Sequence, residues 1–297
     1  MISDASPLTG VRILITRAEQ QAKPFVERLK ELGAEPIEIP VIEIRPPDSW
    51  NEFDAAVAKL DDYDWIVFAS ANAVKSFAER TGQFKAHTHK PLIAVMGHST
   101  ERVAHQHGLK VAYKPDKFIS ESFIEQFPGY PNLSGLKLLW PRTNIGRNFL
   151  QEEFARAGAQ IDVVEAYKTC LPGQIASHCQ NLQELMSAGK IDVITLASAQ
   201  TATNLALIIA ARWTDAPATS ESSVGAGSAL PAALRQRVKE VLKNVTILSI
   251  GPETSSAARE HLGKLDLEAN PHNSEGMIDA LIKHFAGKKS KTDIQTI

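Results

Sequence analysis

Short polar turns that follow apolar runs are the part of this sequence best suited to chemistry. They lie at 16–17, 70–72, 97–100, 198–200 and 251–254, and each precedes a predicted helix. The first N–H groups of a helix have no intrahelical partner and favour anions. A Ser or Thr at such a place often only caps its helix, which is the simpler alternative for each residue taken alone. Five such turns in one chain favour a ligand-binding cleft.

Other kinds of site find little support in the sequence. The glycines at 225–227 lack the third glycine and the preceding strand of a dinucleotide fingerprint, and no P-loop pattern occurs. His87 with His89, and His105 with His107, have no carboxylate or cysteine partner at a metal-site spacing. No Gly-x-Ser-x-Gly nucleophile elbow is present. We therefore expect no metal and no cofactor.

The overall composition argues against several classes of partner. Lys and Arg number 32 and Asp and Glu number 34, which gives a formal charge of -2 over 297 residues. Such near-balance offers no general attraction for nucleic acid or for an anionic membrane. The apolar stretch 193–211 has polar residues near its middle, so we interpret it as a strand, a turn and a helix and expect no membrane span. Two cysteines and the lack of a signal-peptide pattern at the start favour the cytoplasm.

An internal repeat defines the elements that must position the turns. Four segments recur in the same order in both halves of the chain: 10–17 and 135–142, 64–71 and 192–199, 93–100 and 247–254, 120–124 and 274–278. Arg17 aligns with Arg142. Each segment combines a strand, a turn and the start of a helix, which predicts an α/β fold of two similar doubly wound lobes with parallel sheets. An insertion at 214–236 is predicted to be a surface loop, and 287–297 a flexible tail.

Five motifs taken together resemble the uroporphyrinogen-III synthase family. They are Phe-Ala-Ser-Ala-Asn-Ala-Val at 68–74, Gly-His-Ser-Thr at 97–100, Ala-Tyr-Lys-Thr at 166–169, Leu-Ala-Ser-Ala at 196–199 and Ile-Gly-Pro-Glu-Thr at 250–254. Each motif is short, but their order and spacing match the family from about Gly10 to about His284. Their joint order, together with the internal duplication, makes the resemblance specific.

The resemblance implies that the two lobes are flavodoxin- or Rossmann-like and interleaved along the chain. Lobe one would combine 1–37 with 171–297, and lobe two would comprise 46–160. Segments 38–45 and 161–170 would pair as a two-stranded β hinge, and both are rich in β-branched residues. The family precedent also implies a monomer.

The family's reaction takes hydroxymethylbilane, inverts its last pyrrole ring and closes the macrocycle with loss of water, without a cofactor. Tyr167 matches the family's hinge tyrosine at the cleft and is the candidate proton donor to the departing hydroxyl. From its place late in a strand-like run alone, packing is the simpler role. The substrate carries many carboxylates, so distributed donors suit it better than one strong cation.

A larger set of residues is expected to bind the substrate. It comprises Arg17, Ser70, Ala71, Asn72, Ser99, Thr100, Arg142, Ser198, Ala199, Gln200 and Thr254. Ser70, Thr100, Ser198 and Thr254 match family positions that line the cleft. The two arginines are added from the internal repeat, as partners for substrate carboxylates.

Three other classes of protein stay open. A non-catalytic bilobal ligand-binding protein shares two α/β lobes and a hinge, although such proteins are commonly exported. A synthase-like domain without activity would bind tetrapyrroles only. A nucleotide-dependent enzyme of doubly wound fold would need a phosphate-binding glycine pattern, which the sequence lacks.

Overall fold

The chain folds into two compact units. The structure, a computed structural model, describes residues 6–82, 91–211 and 231–294. Unit 1 comprises Met1–Glu43 with Cys170–Ile297, and unit 2 comprises Ile44–Thr169. The backbone therefore passes from one unit to the other twice.

Strands and helices alternate along most of the chain. The strands are β1 (Arg12–Ile15), β2 (Glu35–Glu38), β3 (Glu43–Arg45), β4 (Trp65–Phe68), β5 (Leu92–Val95), β6 (Val111–Tyr113), β7 (Lys137–Thr143), β8 (Gln160–Cys170), β9 (Val193–Leu196), β10 (Thr246–Ser249) and β11 (Leu267–Glu268). The helices are α1 (Glu19–Glu31), α2 (Asn51–Val57), α3 (Ala71–Thr81), α4 (His98–Gln106), α5 (Ser120–Glu125), α6 (Phe149–Arg156), α7 (Ile175–Ser187), α8 (Ala199–Ala211), α9 (Ala232–Val241), α10 (Pro252–Ala257) and α11 (Ser274–Ile294).

The two sheets have the same strand order, which confirms the predicted duplication. The five-stranded sheet runs β11-β10-β9-β1-β2, and the six-stranded sheet runs β3-β8-β7-β4-β5-β6. The five strands from β6 to β8 repeat the order from β11 to β2, with β3 added beside β8. The adjacent pairs of the first sheet and those from β8 to β6 in the second are parallel. The predicted doubly wound α/β fold is confirmed.

Burial explains why these apolar runs form central strands. All four residues of β4, β9 and β10 are buried, as expected where helices cover both faces of a parallel sheet. Helix α1 instead buries one stripe, with Ala22, Phe25, Val26 and Leu29 facing the core. Each unit has core residues on both faces of its sheet.

The duplication extends to single hydrogen bonds. Leu8 N donates to Leu32 O at 3.0 Å, and the aligned Leu133 N donates to Ala157 O at 2.8 Å. A glycine with positive φ follows each of these carbonyl-bearing residues, Gly33 in unit 1 and its counterpart at position 158. A Cβ on Gly33 would come within 2.8 Å of a side-chain atom, so only glycine fits this turn. The same backbone design therefore ends the first helix of each repeat.

Regular structure extends further than the sequence predicted in the tail and in one hinge segment. The predicted loop at 214–236 lies outside the described residues except for its end, where α9 begins at Ala232. The tail predicted to be flexible at 287–297 continues α11 as far as Ile294. The segment at 161–170 is more than a hinge strand, because β8 pairs with β7 from Gln160 to Tyr167 while β3 lies on its other side.

The apolar stretch 193–211 contains β9 and α8, as predicted. Within the described ranges, no helix is long and apolar enough to cross a membrane.

Candidate functional site

The turn after β4 joins a helix cap to a hydroxyl pair. Ser70 has an extended backbone and caps α3, since its Oγ accepts a hydrogen bond from Ala73 N at 3.2 Å. The same Oγ lies 2.9 Å from the Tyr167 hydroxyl. Ala71 and Asn72 follow as the first, half-buried residues of the helix. Ser70 therefore caps α3 and also contacts the hydroxyl of Tyr167.

Tyr167 is nearly enclosed at the end of β8. Its side chain is 6% exposed and joins the core beside β4 and α3. Burial raises the pKa of the Tyr167 phenol above its ordinary value, while hydrogen bonds to Ser70 and Asn72 and the charge of Arg142 act in the opposite direction. The phenol is therefore neutral at neutral pH and available as a hydrogen-bond or proton donor.

Arg142 lies near Tyr167 at the end of β7. Its Nη1 donates to Asn148 Oδ1 at 3.0 Å and its Nη2 to the Ile145 carbonyl at 3.1 Å. Its guanidinium lies 4.4 Å from the centre of the Trp140 ring. No carboxylate of the described residues forms an ion pair with it, and burial lowers its pKa. A partly buried cation with only neutral partners is suited to an anionic ligand.

A bulge between β7 and β8 was not foreseen from the sequence. The register shifts between Arg142 and Thr143, so that Thr143 is opposite Tyr167. Thr143 Oγ1 lies 3.1 Å from Thr169 Oγ1, and Asn144 Oδ1 accepts from Thr169 N at 3.0 Å. The polar residues after an apolar strand were the available signal, but the bulge depends on strand pairing. These bonds fix the ends of both strands beside Tyr167.

The turn after β5 contributes less directly to this cluster. Gly97 precedes α4, in which Ser99 is exposed and Thr100 is buried. No hydrogen bond between described residues joins Ser99 or Thr100 to Tyr167. The structure thus brings Ser70, Asn72, Arg142 and Tyr167 together and leaves this turn as a neighbour at the same sheet edge.

Unit 1 has an arginine in the equivalent place. Arg17 follows β1, donates from Nη1 to Ser274 Oγ at 3.3 Å and lies 4.7 Å from the centre of the Phe25 ring. Its Nη2 also contacts Met277 Sδ at 3.7 Å. Burial lowers the pKa of Arg17 to about 10, and none of the described carboxylates pairs with it. The two arginines predicted from the repeat therefore have similar surroundings, each in its own unit.

Ser198 caps the helix after β9, as its counterpart does in unit 2. Thr201 N donates to Ser198 Oγ at 3.2 Å, and Ser198 N donates to Thr201 Oγ1 at 3.2 Å. Ala199 is exposed at the start of α8. The position equivalent to Tyr167 is Ile42, which is buried. Unit 1 thus has the cap without the phenol.

Two other residues predicted to bind substrate in unit 1 have internal roles. Gln200 Nε2 donates to Asn204 Oδ1 at 2.7 Å, and Asn204 Nδ2 donates to the Val41 carbonyl at 2.8 Å. Thr254 is 4% exposed in α10. The structure does not bring either residue to Arg17 through a hydrogen bond between described residues.

No group of three His, Cys, Asp or Glu side chains within the described ranges is arranged to bind a metal ion. Cys170 is half-buried and Cys179 is buried.

Comparison with known proteins gives one consistent result. Residues 23–220 match the family model described as uroporphyrinogen-III synthase HemD. A uroporphyrinogen-III synthase of Synechococcus elongatus is 34% identical over 278 residues, covering 93% of this chain and 96% of the relative. One from Escherichia coli is 28% identical over 193 residues, covering 63% of this chain and 76% of the relative.

Solved structures resemble the chain in fold. A mutant uroporphyrinogen III synthase from Thermus thermophilus matches with a TM-score of 0.62 at 18% identity, covering 94% of this chain and 100% of that one. The Helicobacter pylori protein matches with a TM-score of 0.55 at 14% identity, covering 91% of this chain and 97% of that one. At such low identity these structures support the fold alone.

Proposed function

The chain belongs to the uroporphyrinogen-III synthase family of cyclising lyases in tetrapyrrole biosynthesis, and from this premise we propose how its own residues act. The substrate is hydroxymethylbilane, whose last pyrrole ring is inverted as the macrocycle closes to uroporphyrinogen III. The observation that carries the assignment of roles is the buried, neutral Tyr167 phenol beside Ser70, Asn72 and Arg142.

Tyr167 is the proton donor in the step that expels water. The bond from carbon to the hydroxymethyl oxygen breaks, and the pyrrole nitrogen supplies the electron pair that replaces it. The phenol proton leaves with the oxygen as water. The methylene carbon so formed bonds to the substituted α carbon of the last pyrrole ring, and the bond from that ring carbon to its bridge carbon then breaks. The freed bridge carbon bonds to the unsubstituted α carbon of the same ring, which inverts the ring, and that α carbon releases the proton that restores the phenol.

The surroundings of Tyr167 favour this cycle. The charge of Arg142 and hydrogen bonds from Ser70 and Asn72 stabilise the transient phenolate, since all three lower the phenol's pKa. Burial keeps the phenol protonated between turnovers. The contribution is modest compared with the positioning of a flexible linear substrate, which supplies several kcal/mol in well-oriented reactions.

Each unit has donors suited to substrate carboxylates. Arg17 and Arg142 are half-buried cations without an ion-pair partner among the described carboxylates, and each bonds only to neutral groups. The first turns of α3, α4 and α8, which contain Ala71, Ser99 and Ala199, add N–H groups and a hydroxyl that favour anions. Thr100, Ser198, Gln200 and Thr254 complete the proposed set, the last two by supporting the turns from inside.

We further propose that the protein acts as a monomer in the cytoplasm. The sequence has only two cysteines, too few for a disulfide framework, which agrees with a reducing compartment. Size-exclusion chromatography with light scattering tests the oligomeric state, and a dimer would contradict that part of the proposal.

Product analysis tests the function directly. Purified protein is added to freshly generated hydroxymethylbilane, and the oxidised porphyrin isomers are separated by chromatography. Mostly type III product without added metal or nucleotide supports the proposal. Only type I product, which forms without an enzyme, would instead indicate a tetrapyrrole-binding protein, to be tested by ligand titration.

A further inference from the structure

Phe118 is an aromatic side chain displayed at the edge of unit 2. It lies between β6 and α5 and is 46% exposed, and its neighbour Ile119 is 45% exposed. Of the described residues, only these two and Leu92 are large apolar side chains with such exposure. An exposed phenylalanine contributes little to the stability of the core, and an exposed apolar side chain can mark a binding site.

The Phe118 ring is fixed on the turn proposed to bind substrate. A Cβ on Gly97 would lie only 3.2 Å from Phe118 Cγ, so the ring packs directly on the backbone of this glycine. The His98 ring stands edge-on to it, with the centroids 4.6 Å apart. One side of the ring is thus supported while much of it faces solvent. This is a preorganised surface for a flat ligand.

Unit 1 repeats the arrangement with another ring. A Cβ on Gly251 would lie 3.2 Å from Cγ of His272, which is exposed and whose Nδ1 is 2.8 Å from the Ala269 carbonyl. Gly251 aligns with Gly97, and His272 aligns with Phe118. The residue type has changed between the two halves, whereas a planar ring on the glycine is common to both.

Charged residues of both signs lie near Phe118. Lys114 Nζ lies 3.0 Å from His98 Nδ1 and forms an ion pair with Glu101. Lys117 is exposed beside the phenylalanine in the sequence. A pyrrole ring with carboxylate side arms presents a flat apolar face surrounded by negative charge. Phe118 offers the apolar face, and the exposed Lys117 offers a cation for a carboxylate.

We propose that Phe118 positions the substrate by stacking against one of its pyrrole rings, and that the ring of His272 does the same in unit 1. This rests on the proposed function, because it assigns two further residues to the same substrate. A protein partner is disfavoured, since two apolar side chains are far smaller than the roughly 1,000 Å² that a specific interface requires.

Three substitutions at one position test the stacking. F118A is expected to raise KM about tenfold with kcat within about twofold, as stacked rings contribute on this scale. F118W is expected to keep the wild-type KM. F118L keeps apolar area but has no ring face, so its KM is expected to be as high as that of F118A. L92A is the matched control, because Leu92 is exposed to 41% but begins β5 at the other end of the strand.

Binding of uroporphyrin III, the oxidised product, is titrated by fluorescence in parallel. A tenfold weaker Kd in F118A with unchanged thermal unfolding supports the proposal, and H272A with H272F as its rescue repeats the test in unit 1. Equal KM and Kd in F118A and wild type would overturn it, as would full recovery in F118L. Failure of the wild type to form type III product would instead overturn the proposed function, while the titration still reports on stacking.

Discussion

Arg17 and Arg142 occupy equivalent places in the two units and share an unusual environment. Each guanidinium lies over an aromatic ring, 4.7 Å from the centre of Phe25 and 4.4 Å from that of Trp140. Each bonds to neutral partners, and neither pairs with a carboxylate of the described residues. A desolvated cation without a counter-charge reduces stability. Substrate carboxylates would supply the missing counter-charge, so substrate binding should also stabilise the folded protein.

Substituting Arg17 should therefore separate stability from function. R17M is expected to raise KM about tenfold or more, because a charged hydrogen bond contributes about 1.5–3 kcal/mol. It is also expected to raise Tm by roughly 2–4 °C if about 1 kcal/mol of desolvation is relieved. Steady-state kinetics and calorimetry measure the two effects. R28M is the control, since Arg28 is exposed and paired with Glu31, and surface pairs contribute little. An unchanged KM in R17M would remove Arg17 from the site.

A carboxylate placed beside Arg142 should compete with the substrate. Asn148 Oδ1 accepts from Arg142 Nη1 at 3.0 Å, so N148D creates an ion pair with little change of shape. KM is expected to rise about tenfold, on the scale of one charged hydrogen bond. N51D adds the same charge at an exposed position at the start of α2 and should leave KM unchanged. Equal KM values in the two variants would contradict carboxylate binding by Arg142.

The two capping serines offer a matched comparison. Ser70 and Ser198 each accept a hydrogen bond from a helix N–H at 3.2 Å, and only Ser70 also contacts a tyrosine. Replacing either by Ala should cost about 1 kcal/mol of unfolding free energy. Only S70A is expected to lower kcat, by a few-fold, because Tyr167 loses its partner. Denaturant unfolding and kinetics check both parts, and equal kcat values in the two variants would show that Ser70 only caps its helix.

The pKa of Tyr167 fixes the expected pH dependence. Burial raises it above the ordinary tyrosine value, so the phenol stays protonated at neutral and mildly alkaline pH. The proton-donating form is present below the folded pKa and is lost as pH rises through it, and the linked stability is lost over the same range. R142M should raise this pKa further, since it removes the opposing charge. Carbon-13 NMR of labelled tyrosines, assigned with Y167F, measures the shift; a Tyr167 pKa below 10 would contradict the account.

The fold was predictable because its signals are local and repeated. The apolar run at 65–68 and its counterpart at 193–196 are buried on both faces, as their composition indicates. The repeat also predicted the equivalence of Arg17 and Arg142. These features depend on residue type and spacing, which the sequence shows directly.

Other features depend on pairings that spacing does not reveal. The bulge that sets Thr143 opposite Tyr167 arises from the register of β7 with β8. Gln200 was predicted to face the ligand, yet it bonds to Asn204, whose amide is fixed by the Val41 carbonyl. The start of α9 at Ala232 was hidden because Ser, Gly and Ala crowd the preceding segment and obscure helical periodicity.

The most direct test of the mechanism is kcat for Y167F in the isomer-resolved assay, with Y63F as control. Tyr63 is a buried tyrosine of the same unit whose hydroxyl donates to Asp162 at 2.7 Å, outside the proposed site. Y167F is expected to lower kcat about a hundredfold, the low end for a proton donor, with KM nearly unchanged. Y63F should lose about 1 kcal/mol of stability and keep its kcat. Wild-type kcat in Y167F would contradict the assignment of Tyr167 as the donor.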